Sequence, residues 1–178
     1  MARLTYFDDA SLPVGIAELL RGRPTLNLYR ILPHAKTAAP GFLALGRALL
    51  TESELDPKLR ELVILRAGAI SRASYEIYQH RRVGRSVGLT EEEIAAALRE
   101  RPDDCLSDWT RLVLRFTEAV VWEVKAPEPL YQAVAAKLTE RQMAELLLTI
   151  GFYMLVCRFL ENTEVDIESE NPSSVAGS

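Results

Sequence analysis

Apolar residues recur along this chain at spacings of three and four, and no stretch shows the sustained period-two alternation of a half-buried strand. Helices are therefore predicted almost throughout. VGIAELLRG can be capped by Asp9 or Ser11, and LNLYRIL by Thr25, with Pro33 ending the second because it brings no N–H and clashes with the preceding turn. APGFLALGRALL follows. DPKLRELVILRAGAI opens on Asp56 as N-cap with Pro57 at the first helical position, and SYEIYQHRRVGRSV stops at Gly88. In TEEEIAAAL, Thr90 and Glu93 are spaced for a reciprocal capping box. Beyond the polar link RERPDDCLS come DWTRLVLRFTEAVVWEV, the Pro-flanked turn APEP, LYQAVAAKL and the long run TERQMAELLLTIGFYMLVCRFLENT. The pattern predicts one all-α domain of about seven to nine helices, with a polar, disordered tail over 169–178.

The helix over 57–70 is unusual in having Val63, Ile64, Leu65 and Ala67 spread all round its axis, so it should be enclosed and Glu61 with it. A buried carboxylate needs a partner. Glu76 and His80 stand i, i+4 on the next helix, on one face and within mutual reach. Two carboxylates raise an imidazole's pKa while burial lowers it, so the trio can move protons near neutral pH. A purely structural pin of Glu on His would read the same way. A weak internal repeat sets Leu55, Asp56 and Gly68 against Leu138, Thr139 and Gly151 at a common offset. Only the first copy carries the acid, since Ala144 and Thr163 stand at the counterparts of Glu61 and His80.

Other residues are candidates for binding. Arg66 and Arg158 interrupt apolar helical runs, where each must find a carboxylate: Glu61, Glu76, Glu145 or that of a substrate. His34, after Pro33, could line a pocket or cap a helix end. Tyr75 and Tyr78 flank Glu76, and either could face a pocket, though not both. Trp109, Trp122, Phe152 and Tyr153 read as core or interface aromatics. Neither histidine has a second ligand at a recognised metal spacing, so no metal and no cofactor is implied.

Composition narrows the field. The chain has 178 residues, 48% hydrophobic and 26% charged, with a net charge of −4 and no Lys/Arg stripe, which argues against a nucleic-acid partner. MARLTYFDDASLP lacks the apolar core of a signal peptide. AELLLTIGFYMLVCRFL, bracketed by Glu145 and Arg158, reads as a buried or interface helix, so no membrane is expected. Cys105 and Cys157, far apart in sequence, read as ordinary reduced thiols of a cytoplasmic protein. The apolar face of residues 142–160 exceeds what a small monomer covers, predicting a homo-oligomer.

RELVILRAGAISRASYEIYQHRRVGRSVGLTEEEIAAAL resembles the core of the carboxymuconolactone decarboxylase family, which includes the alkylhydroperoxidase D (AhpD)-like proteins. NLYRILPHA upstream and LTERQMAELLLTIGFYMLVCRFLENTEVDI downstream extend the likeness over 25–168, leaving 1–24 as an N-terminal extension. The resemblance implies a single-domain AhpD-like helical bundle built from two related helical hairpin units, and a dimer, trimer or hexamer. Redox members carry a Glu, a C-x-x-C pair and a His, positions that fall here on Glu61, Ala73, Glu76 and His80. Without the cysteines, thiol peroxidase chemistry loses both nucleophile and resolving thiol. The resemblance then implies the lyase, isomerase or hydrolase branch, acting on a small carboxylate from aromatic ring cleavage. His80 would be the general acid/base, Glu76 or Glu61 would orient it, and Arg66 or Arg158 would hold the substrate carboxylate. A non-catalytic oligomeric binder or scaffold, or a divergent peroxidase-related protein, is the alternative.

Overall fold

Nine helices run through residues 2–8, 10–99 and 106–168, the residues described by the computed structural model: α1 (Val14–Leu20), α2 (Asn27–Ile31), α3 (Ala39–Thr51), α4 (Pro57–Ser71), α5 (Ser74–Ser86), α6 (Glu91–Leu98), α7 (Asp108–Glu123), α8 (Glu128–Ala135) and α9 (Glu140–Thr163). A 3-10 turn, Leu32–His34, follows α2, and no strand occurs among the described residues.

The centre is α4. Every residue from Leu59 to Gly68 is buried, because the helix faces three apolar clusters at once. Ile64 and Ala67 pack with Tyr75, Phe152 and Leu160. Leu59 and Val63 pack with Phe116, Leu146 and Ile150. Leu62 and Leu65 pack with Ile94 and Leu114. Three partners on three sides explain why its apolar residues show no single stripe. Asp56 caps α4 by accepting from Leu59 N–H at 2.9 Å, and Arg72, in the left-handed conformation at φ 53°, ends it. The chain then folds back as α5. Gly68 allows the close approach: a Cβ there would lie 3.3 Å from Ile77 Cγ1. The second copy of the repeat has no such break, since α9 runs uninterrupted past Leu155, the counterpart of Arg72.

Capping boxes form at Thr90 with Glu93 and at Thr139 with Gln142. The N-terminal third departs from the sequence reading. α1 starts after Pro13 with no side-chain cap, while Ser11 closes a turn on Asp8; Asp9 lies outside the described residues. Thr25 does not cap α2, whose first N–H, on Asn27, is taken at 2.6 Å by the distant carboxylate of Glu168. At Pro33 the helix tightens into the 3-10 turn before it ends. Residues 165–168 form a strap beneath these elements: the Asp166 carboxylate accepts from Ala2 N–H and Tyr6 Oη, and its carbonyl accepts from Asn27 Nδ2 at 2.8 Å. Residues 169–178, the expected tail, and Cys105 lie outside the described residues.

By length and composition α9 is apolar enough to cross a membrane, yet half of its most apolar window is buried within the fold. Its outer face leaves Leu147, Leu148 and Leu155 exposed.

Candidate active site

The hairpin of α4 and α5 brings Glu61, Glu76 and His80 together. Glu61 is fully buried and its Oε2 lies 2.6 Å from His80 Nδ1. His80 Nε2 lies 2.9 Å from Glu76 Oε1. Behind Glu61, Arg60 Nε donates to its Oε1 at 3.3 Å, so a chain of four charged groups runs from α4 towards α5. Burial is the largest single influence on His80 and pulls its pKa down. The two carboxylates together overcome it and hold the imidazole up to about 10. Both ring nitrogens then donate, and the buried charges of Arg60, Glu61, His80 and Glu76 cancel, which is the condition under which such a cluster is tolerated.

The chain ends in a cavity of about 500 Å3 lined by Glu76 and His80, within the range of small-molecule sites. Its walls are largely apolar and aromatic, with Tyr29, Phe42 and Leu43 on one side and Phe152, Tyr153 and Val156 on α9. Phe42 and Phe152 meet with ring centroids 4.9 Å apart, and Tyr153 stands edge-on to His80 at 5.0 Å. Glu61 does not line it. Glu76 Oε1 is committed to His80, while Oε2 has no donor among the described residues. Thus Glu76 is the carboxylate that can meet a ligand, and His80 and Glu61 stand in line behind it.

Tyr75 lines the same cavity. Its hydroxyl donates to Glu168 Oε1 and accepts from Leu28 N–H at 3.4 Å; burial, reinforced by Glu168, pushes its pKa well up. Tyr78 is not in the lining and lies under the Arg82 guanidinium at 5.9 Å.

Four residues singled out in the sequence stand elsewhere. Arg66 points to α6 and α7, where it donates to the carbonyls of Ala97 and Arg99 and pairs with Glu118. Arg158 is solvent-exposed and donates to Met154 O on its own helix at 2.9 Å. Glu145, offered as a partner for either, is held by Arg141 and Ser53. His34 is exposed, packs on Phe7 and has Nε2 2.8 Å from Thr5 O, which pins the N-terminal segment. The arginines that do line the cavity are Arg23 and Arg82, and neither forms an ion pair among the described residues. Sequence reasoning missed both because they lie in polar stretches, where a free cation is unremarkable. It also assigned Tyr153 to the core without seeing that α9 turns it towards His80. Among the described residues no group of three His, Cys, Asp or Glu side chains is arranged to hold a metal ion.

Residues 37–119 match the model of the carboxymuconolactone decarboxylase family. Among solved structures, an uncharacterized peroxidase-related protein from Ralstonia eutropha, described as an alkylhydroperoxidase AhpD core, is similar at TM-score 0.83 and 17% identity, over 95% of this chain and 93% of that one. A debrominase, Bmp8, in complex with 2,3,4-tribromopyrrole, is similar at TM-score 0.80 and 14% identity, over 95% of each chain. A peroxidase-related protein from Silicibacter is similar at TM-score 0.77 and 16% identity, over 89% and 87%. At these identities the likeness is one of fold. No curated protein matches the chain.

Proposed function

We propose, from the premise that the chain belongs to the carboxymuconolactone decarboxylase family through the segment carrying its Glu–His–Glu cluster, that it is an acid–base enzyme with no thiol step. Its substrate is a small carboxylate of the ring-cleavage type, and the reaction is a decarboxylation, isomerisation or lactone hydrolysis. The observation that carries this reading is the hydrogen-bonded line Glu61–His80–Glu76 opening into the 500 Å3 cavity. Glu76 Oε2 is placed to take a proton from a carbon beside a carbonyl, or to return one to a carbanion left by loss of carbon dioxide. His80 donates to the other oxygen and places its positive charge beside Glu76; Glu61 fixes the ring. Arg23 and Arg82 are the groups for the substrate carboxylate. A peroxidase step has little support. Ala73 and Glu76 occupy the cysteine positions of the redox motif, and burial pushes the Cys157 thiol up to about 12, with Glu76 adding to it.

The test is turnover of carboxylated lactones and ring-cleavage products followed by proton NMR, with wild type beside Glu76→Gln and His80→Gln. Consumption by wild type, reduced at least about a hundredfold in Glu76→Gln, is expected. No consumption of any compound by wild type would overturn the reading.

One observation favours a second reading. Both ring nitrogens of His80 are already taken by carboxylates, as in a structural pin, which suits a non-catalytic small-molecule binder. Retained ligand binding without turnover in wild type would select it.

A further inference from the structure

Tyr153 is 3% exposed, and a buried phenol normally finds a partner. Tyr75 finds Glu168. The Tyr153 hydroxyl has no hydrogen bond among the described residues, yet it is not one of the buried polar atoms sealed from solvent. Its surroundings explain both facts. The ring is fixed edge-on between His80 at 5.0 Å and Phe152 at 5.5 Å, and the residue lines the cavity shared with Glu76 and His80. The open side of the hydroxyl is therefore the ligand space. Burial, with Glu76 and Glu61 adding, pushes this hydroxyl well above the ordinary tyrosine range, so at neutral pH it carries its proton and acts as a donor. A rigid donor facing an apolar cavity with one free carboxylate oxygen defines what fits: an oxygen acceptor close to an acidic carbon.

We propose that Tyr153 is a specificity-determining donor that hydrogen-bonds a carbonyl oxygen of the ligand. This deepens the acid–base reading and rests on it. In the step, Glu76 Oε2 takes the proton from the carbon beside the carbonyl. The C–H electron pair becomes the enolate double bond, and the carbonyl π pair moves to oxygen, where the Tyr153 hydrogen bond strengthens as negative charge gathers. Glu76 returns the proton to the same carbon or a conjugated one. Nothing is oxidised, and no further reactant is needed. Tyr153 thus touches the reacting group and selects against carboxylates that lack the carbonyl.

The experiment compares 4-acetylbenzoate with its isostere 4-ethylbenzoate by calorimetry, and reads the carbonyl stretch of 13C-labelled 4-acetylbenzoate by infrared difference spectroscopy. Wild type is expected to prefer the acetyl compound about tenfold and to lower its carbonyl frequency. Tyr153→Phe, which removes only a hydroxyl with no partner in the fold, should bind both alike with no frequency shift. Tyr153→Met stands in if that variant does not fold. Equal affinity in wild type, a preference that survives in the variant, or no binding of either compound at millimolar concentration would overturn the proposal. Because the readouts are affinity and frequency, a wild type that shows the preference but no turnover would sink the enzyme reading alone. Turnover with no acetyl preference would sink this inference alone.

Discussion

Glu61 Oε2 and His80 Nδ1 lie 2.6 Å apart in a region where Glu61 has no exposure at all. With Glu76 on the other nitrogen, the folded protein holds the His80 proton up to about 10, against about 6.5 for an unfolded chain. Below pH 6.5 both states are protonated and the stabilisation is fully present. Between 6.5 and 10 only the folded state keeps the proton, so this group's contribution falls as pH rises, by about 1.4 kcal/mol per unit. Urea unfolding of wild type between pH 7 and 10 should show that decline, and His80→Gln should flatten it. Parallel slopes for the two proteins would show that the imidazolium is not held as described.

Much of this arrangement is legible in the sequence, and the limits have a physical cause. The all-round apolar pattern of α4 announces a central helix and a buried Glu61, and i, i+4 spacing announces the Glu76–His80 pair. Asp56, Thr90 and Thr139 announce their own helix starts because a cap is a contact over three residues. Thr25 misleads because the first N–H of α2 is satisfied by Glu168, a partner that no local spacing reveals. Arg66 and Arg158 mislead in opposite ways. Both interrupt apolar runs, but one finds carbonyls and a carboxylate on neighbouring helices, and the other lies on the outer face of α9. Arg23 joins the cavity only because α2 and α5 meet there, a tertiary fact.

Arg66 is a clamp between α4, α6 and α7, so its removal should cost stability and leave ligand binding intact. It donates to Ala97 O at 3.2 Å and to Arg99 O, and pairs with Glu118, while only 2% of it is exposed. Arg66→Ala strands the carboxylate and the carbonyls, and should lower unfolding free energy by about 3–5 kcal/mol. Arg66→Lys, which keeps the charge but loses the fork, should fall between. In Arg66→Lys the affinity for 4-acetylbenzoate should match wild type; a large loss would return Arg66 to the binding site.

Arg23 and Arg82 should behave in the opposite sense. Each stacks on a tyrosine ring, Tyr29 and Tyr78 respectively, at 5.9 Å, and neither is ion-paired among the described residues. Replacement by Gln should therefore change stability by no more than about 0.5 kcal/mol. The affinity of a substituted benzoate should drop about tenfold for the arginine that holds the carboxylate, and its salt dependence should weaken with it. Unchanged affinity in the double variant Arg23→Gln/Arg82→Gln would remove these residues from the site.

Glu168 ties the C-terminal strap to the cavity wall. Its carboxylate accepts from Asn27 N–H at 2.6 Å, from the Tyr75 hydroxyl and from Gln79 Nε2, so one side chain starts α2 and positions two residues that line the cavity. Glu168→Ala leaves the buried Tyr75 hydroxyl without its acceptor and the first N–H of α2 uncapped. A loss of about 1–3 kcal/mol is expected, which is a fall in Tm of roughly 2–4 °C per kcal/mol for a chain of this size. Glu168→Gln keeps an acceptor oxygen and should lose less than half as much. Amide hydrogen exchange locates the effect: protection should fall in residues 27–31 and 2–8, which the strap holds, and stay unchanged in α7 and α8, which it does not touch. Uniform loss of protection across all helices would mean that Glu168 acts on global stability and does not govern the cavity wall locally.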